Sequence, residues 1–169
     1  CIRDSWTLNT NCGDVVIRLY GDAAPQTVWS MKFLTDKGYF DNTLCHRMTT
    51  KGLYVLQCGD PTGTGAGSPG YNVPDENLPP AATKTTPNYP AGTVAMANAG
   101  PGTGGSQFFI VYQDTGLGSN YTIFGKVQSG LDIIKQIAAR GTDNANGDGD
   151  GHPNQAVGIL SAFIAKGNS

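Results

Sequence analysis

Cys45-His46-Arg47-Met48, followed ten residues after the arginine by Gln57-Cys58-Gly59-Asp60-Pro61, decides how this chain is read. Thr43 to Met48 and Tyr54 to Cys58 read as two strands, and Thr49-Thr50-Lys51-Gly52 supplies the turn of a hairpin. The hairpin places a permanently charged guanidinium and an amide near large apolar side chains, with no nucleophile, base or metal cluster beside them. Such a set suits chemistry in which no covalent bond is broken. The theme returns downstream in Ala97-Asn98-Ala99 and in Gly105-Ser106-Gln107-Phe108-Phe109.

Outward from the hairpin, the pattern is mainly β. Thr7 to Asn9 and Val15 to Tyr20 form two strands across an Asn-Cys-Gly turn. Pro25 opens a helix carrying Val28, Trp29, Met31, Phe33 and Leu34, and Gly38 stops it. Residues 60–90 are mostly Gly, Pro, Thr and Asn, a length that implies either disorder or a wrap over a working surface. Val94 to Met96, Phe108 to Tyr112, Ile123 to Val127 and Ile159 to Ala165 are further strands. Ser129 is placed to cap a second helix with Leu131, Ile134, Ile137 and Ala138 on one face. No βαβ rhythm is present, so an antiparallel barrel or sandwich with two packed helices is expected. Closure into a barrel would remove exposed edges.

Composition narrows the function. The 169 residues are enough for one domain, and only 14% are charged, with a net charge of -2 and no basic cluster, which argues against nucleic-acid binding. No run reaches the ~18 apolar residues of a membrane span, and no signal peptide is visible. Gly65-x-Gly67-x-x-Gly70 matches a dinucleotide fingerprint as text, but Pro69 interrupts it and no amphipathic helix follows. Asn144, Asn146, Asp148 and Asp150 resemble half of a calcium loop without its closing glutamate, and read better as a solvated connector. His46 and His152 cannot supply a three-ligand zinc site, and no serine sits in a nucleophile elbow. His46 faces away from Arg47, as strand neighbours do, and is expected as a satisfied structural residue. Asn120-Tyr121-Thr122 has the form of a glycosylation acceptor. Cys45 and Cys58 flank the hairpin and allow either a cross-strand disulfide or two buried thiols, while Cys1 and Cys12 leave the wider pairing open. The lysine-poor surface leans toward an exported domain, extracellular or anchored outside the cytoplasm. Cys1 at the first position fits a lipid-modified terminus, and a cut made in cloning explains it equally well.

From about Thr7 to Ala165 the chain resembles the cyclophilin-type peptidyl-prolyl isomerases. The resemblance is carried by Phe40-Asp41-Asn42-Thr43, His46-Arg47, Gln57 to Gly65, Pro69-Gly70-Tyr71, Ala91 to Asn98, Gly105 to Ile110 and Tyr121 to Gly125. Bacterial members share the Asn-Tyr-Thr-x-Phe-Gly segment. The resemblance implies a single domain over residues 1–169, folded as a closed antiparallel eight-stranded β-barrel with two flanking α-helices. It implies catalysis by Arg47 and Gln57 and a substrate groove of Tyr54, Val55, Ala97, Asn98, Ala99, Gln107, Phe109, Leu117 and Tyr121. It implies no cofactor or metal. The partners would be proline-containing peptides and unfolded segments, met by a monomer. Two departures stand out. The arginine-to-glutamine separation is longer than usual in the family, so the turn around Thr50 to Gly52 carries an insertion. Gly116 replaces a tryptophan common in the family, which weakens the expected affinity for cyclosporin-like cyclic peptides because glycine offers neither indole area nor an N–H donor.

The residue types suit the implied reaction. Twisting an X–Pro bond breaks amide resonance and returns a lone pair to the proline nitrogen, and a donor aimed there favours the twisted state. Arg47 can donate without losing a proton. A proline-peptide binding module with little turnover would need the same groove. A purely structural domain would be favoured if Arg47 were buried in a salt bridge beneath the long loop.

Overall fold

The computed structural model describes residues 4–167; Cys1 lies outside the described residues. Ten strands form one antiparallel ladder with two helices. In chain order these are β1 (Ser5–Thr10), β2 (Gly13–Leu19), α1 (Pro25–Asp36), β3 (Thr43–Leu44), β4 (Arg47–Thr49) and β5 (Val55–Cys58). There follow β6 (Thr93–Met96), β7 (Phe108–Val111), β8 (Ile123–Ser129), α2 (Leu131–Ala138), β9 (Asp150–Gly151) and β10 (Gly158–Ala165). The ladder runs β3-β10-β1-β2-β8-β6-β7-β5-β4-β9. It therefore has ten strands where eight were expected, because Cys45 and His46 split the first hairpin strand into β3 and β4 and because Asp150–Gly151 adds β9 outside β4. Since β3 and β4 lie near opposite ends of the ladder yet are two residues apart in the chain, the sheet must curl strongly.

Alternation along the strands makes two cores. Trp6, fully buried, meets Phe40, Phe108 and Phe124 at ring-centroid distances of 5.3, 4.9 and 6.2 Å, and the apolar faces of both helices join this main core. On β7, Phe108 and Ile110 belong to it, whereas Phe109 and Val111 fall in a second cluster with Val55, Tyr89 and Ala95. That is the period-two rule at work. The second cluster lies on the face from which the candidate site is built.

The first helix keeps two aromatics on an exposed flank, and the second is capped by a residue other than the one expected. Val28, Met31 and Leu34 are buried at helical spacing, but Trp29 and Phe33 are 66% and 40% exposed and stack on each other at 5.5 Å. Four residues apart, they share a flank of α1 rather than its buried face. Ser129 ends β8 and does not cap α2; the cap is Gly130, at φ 92. A Cβ there would lie 2.4 Å from the Asp14 carbonyl oxygen, so close approach to β2 requires glycine.

Residues 60–90 are wrapped rather than disordered. The Glu76 carboxylate accepts from the backbone N–H groups of Gln26 and Thr27 (3.1 and 2.9 Å) and so caps α1 from a distance. Tyr71 and Ser30 share a hydroxyl hydrogen bond of 2.7 Å, and Tyr89 donates to the Tyr121 carbonyl at 3.0 Å.

Candidate active site

Four residues line up across four strands. Arg47 on β4 is directly opposite Gln57 on β5, Gln57 is opposite Phe109 on β7, and Phe109 is opposite Ala95 on β6. Because neighbouring strands keep their pleats in phase, these side chains share one face of the sheet. A cavity of about 130 Å³ opens there, lined by Arg47, Leu53, Val55, Gln57, Ala97, Asn98, Phe109, Leu117 and Tyr121. Phe109 meets Tyr121 edge-on at 5.5 Å, and Tyr89 closes the far side with centroids 6.2 Å from both rings.

The polar rim is a chain of amides. Arg47 Nη1 donates to Gln57 Oε1 at 3.4 Å, Gln57 Nε2 donates to Gln107 Oε1 at 3.0 Å, and Gln107 Nε2 donates to the carbonyls of Gly65 and Gly67 at 2.9 and 3.0 Å. Those carbonyls are held by Asp60. Its buried carboxylate accepts from the N–H groups of Thr62, Gly65 and Gly67 and from the Thr62 hydroxyl. Burial pushes the Asp60 pKa up, but these donors outweigh it and hold the group at about 2. Gly59, at φ 92, lets the turn begin: a Cβ there would lie 2.3 Å from the Ser106 carbonyl oxygen.

On its other edge, Arg47 makes a two-pronged contact with Asp150, Nε to Oδ1 at 2.9 Å and Nη2 to Oδ2 at 2.6 Å. Hydrogen bonding to Asp150 holds the guanidinium's pKa above its ordinary value, against the downward push of burial, so Arg47 stays charged. The Arg47 side chain is 35% exposed, and its partner comes from β9 and not from the long loop. The condition that would have favoured a purely structural role is therefore not met. Cys45 and Cys58 form a disulfide, which replaces the alternative of two thiols and ties the approach to β4 to the end of β5.

Most of the expected groove assembles around this cavity, and three residues do not reach it. Ala99 and Gln107 line a neighbouring cleft of about 360 Å³ that shares Gln57, Ala97 and Asn98 with the first. Tyr54 lies outside both. It packs edge-on against Tyr112 at 6.0 Å at the border of the main core. Leu53 takes the place expected for it, because Leu53, Val55 and Gln57 alternate onto one face and the inserted turn residues shift which aromatic or aliphatic side chain arrives there. That alternation was the available signal for Leu53. Asp150 had none at 103 residues from Arg47. The expected role of His46 as a satisfied structural histidine is not what is seen. Burial lowers its pKa, and its Nδ1 is enclosed with no hydrogen-bond partner among the described residues. In the loop read as half a calcium site, Asp143 accepts from Ala145 and His152 while Asp150 faces Arg47.

The placement of Leu53 and Tyr54 gives a test. Leu53→Ala is expected to weaken proline-peptide binding about tenfold with little loss of stability, since it removes apolar contact at the cavity. Tyr54→Ala is expected to cost about 2 kcal/mol of stability and to leave the affinity within about twofold. Titration calorimetry and urea unfolding on both variants check the pair, and the reverse assignment of effects would return Tyr54 to the groove.

Comparison with known proteins agrees with the geometry. The family model described as "Cyclophilin type peptidyl-prolyl cis-trans isomerase/CLD" matches residues 5–163. The chain is 43% identical over 168 residues to "Probable peptidyl-prolyl cis-trans isomerase B" of Mycobacterium tuberculosis (strain ATCC 25618 / H37Rv), covering 95% of this chain and 54% of that protein. It is 46% identical over 165 residues to the protein of the same description in Mycobacterium leprae (strain TN), covering 93% and 55%. The chain thus spans about half the length of these curated relatives. Among solved structures, a cyclophilin type peptidyl-prolyl cis-trans isomerase of Cryptosporidium parvum, crystallised in the presence of the dipeptide Ala-Pro, superposes with a TM-score of 0.78 at 30% identity, over 95% of this chain and 98% of that one.

Proposed function

The chain belongs to the cyclophilin-type peptidyl-prolyl cis-trans isomerase family, and on that premise we propose that it accelerates cis–trans rotation of X–Pro bonds in peptides and unfolded segments. The observation that carries this reading is the pairing of Arg47 with Gln57 at the rim of a small apolar cavity floored by Phe109. The pyrrolidine ring sits against Val55, Phe109, Leu117 and Leu53 while the acyl side turns. No partner within the described residues pairs with the backbone N–H or C=O of Asn98, whose side chain instead bonds Asn120 and Gly100, so its main chain is open to an extended peptide.

The uncatalysed barrier is ~20 kcal/mol and comes from amide resonance. An Arg47 N–H directed at the proline nitrogen interacts with the lone pair of the twisted amide and weakly with the planar one, which is differential binding. Gln57, already bonded to the guanidinium, orients it or receives the rotating carbonyl. A gain of ~7 kcal/mol in the twisted state corresponds to about five orders of magnitude in rate. No step transfers a proton or needs a cofactor.

Several finer readings accompany this one. The curled ladder, with β3 and β4 joined through Cys45 and His46, acts as a closed barrel, and residues 7–165 act as one domain and as a monomer. A disulfide in a chain of low charge supports a compartment outside the cytoplasm. Gly116 leaves the groove without an indole and weakens cyclosporin-like ligands. The test is the cis-to-trans rate of a proline tetrapeptide with and without the intact domain. Strong acceleration is the expected outcome. Binding without acceleration would replace the isomerase with a proline-peptide binding module.

A further inference from the structure

We propose that Asp150 is a positioning residue for the isomerisation: its carboxylate grips one edge of the Arg47 guanidinium and aims the opposite edge into the proline cavity. This rests on the isomerase reading above. A guanidinium has five N–H bonds in a rigid plane. Nε and Nη2 each give one to Asp150, and Nη1 gives one to Gln57, which leaves one on Nη1 and one on Nη2. Asp150 itself does not line the cavity, whereas Arg47 and Gln57 do. The carboxylate therefore takes the edge turned away from substrate and leaves free donors on the other side.

The grip has a fixed base. Asp150 lies on β9 and pairs with Thr49 on β4, so the strand that carries the arginine also sets the register of its partner. Asn146 donates to Asp150 Oδ1 at 3.3 Å, and the Asp150 N–H bonds the Gly147 carbonyl at 2.9 Å. Lys51 and Asp148 join the hairpin turn to the same loop at a second point. An unheld arginine gives up rotamer freedom when it is ordered. Here the ordering precedes substrate, so the donor is in place while the bond twists. The hairpin insertion fits this arrangement, because the lengthened turn is what Lys51 and Thr50 use to reach the β9 loop.

The test compares tetrapeptide isomerisation by the intact domain, Asp150→Asn, Arg47→Ala and the double variant across substrate concentration. Asp150→Asn is expected to lower kcat about tenfold and leave KM within about twofold. In the Arg47→Ala background the same change is expected to do nothing further, because Asp150 acts only through the guanidinium. Unchanged or faster turnover in folded Asp150→Asn overturns the proposal, as does an equal loss in both backgrounds, which would mark a merely structural role. A second measurement needs no variant. In the intact protein the Arg47 Nε–H should give a separate, slowly exchanging NMR signal, as a held guanidinium does. Its absence overturns the proposal even if Asp150→Asn does not fold. Failure of the intact domain to accelerate isomerisation would instead overturn the isomerase reading, with the Nε–H signal still reporting whether the grip exists.

Discussion

Replacing Arg47 by alanine is expected to lower kcat/KM for a proline tetrapeptide by about 10²–10³, the usual cost of losing one directed donor in an enclosed site. The fold should survive, because Arg47 is part-exposed and its partner Asp150 is itself 27% exposed and can be hydrated once unpaired. The loss should fall on kcat more than on KM, since the apolar wall that holds the ring is untouched. Circular dichroism and a thermal melt establish that the variant is folded before its rate is compared. A folded Arg47→Ala domain working within about threefold of the original would remove the arginine from the chemistry.

The largest effect on stability is expected at Asp60. Its carboxylate is fully buried and satisfies the N–H groups of Thr62, Gly65 and Gly67. Asp60→Ala leaves those donors stranded, each at about 1–3 kcal/mol, so a loss of about 4 kcal/mol is expected in urea unfolding at neutral pH. Activity should fall as well, because the Gly65 and Gly67 carbonyls that anchor Gln107 lose their support. The pH dependence has a definite sign. The folded pKa of about 2 lies below the ordinary 3.8, so the group stabilises the fold above the ordinary value. That contribution, about 2 kcal/mol, is lost as pH falls from about 4 toward about 2. The acid sensitivity of Asp60→Ala should be correspondingly shallower. An equally steep acid loss in the variant would mean that other carboxylates carry it, Asp150 and Asp143 being held low as well.

What could be read from the sequence was what local pattern encodes. The hairpin of β4 and β5 puts Arg47 opposite Gln57, and alternation on β7 puts Phe109 on the outer face, both visible as spacing. Tyr54 follows from the family resemblance, whereas the pleat, counted from Gln57 in steps of two, brings Leu53 to the cavity. The sequence places Trp29 and Phe33 on α1 without saying which flank they occupy, because an aromatic on a helix is apolar wherever it points and only packing decides its exposure. Ser129 looked like a cap because the residue type suits one, while the close approach of β2 demanded Gly130. Asp150 stayed hidden because its neighbours are glycine and asparagine, so the segment has the composition of a connector. Its partner is fixed by a two-residue strand that no periodicity announces.

The two tryptophans sit at opposite extremes, Trp6 wholly enclosed by phenylalanine rings and Trp29 two-thirds in water, and neither lines the cleft. With glycine at position 116, no indole borders the peptide either. The consequence is optical. Tryptophan emission from this protein should register the opening of its interior and not occupancy of its groove, so ligand binding is better followed through Tyr121 or from the peptide's side.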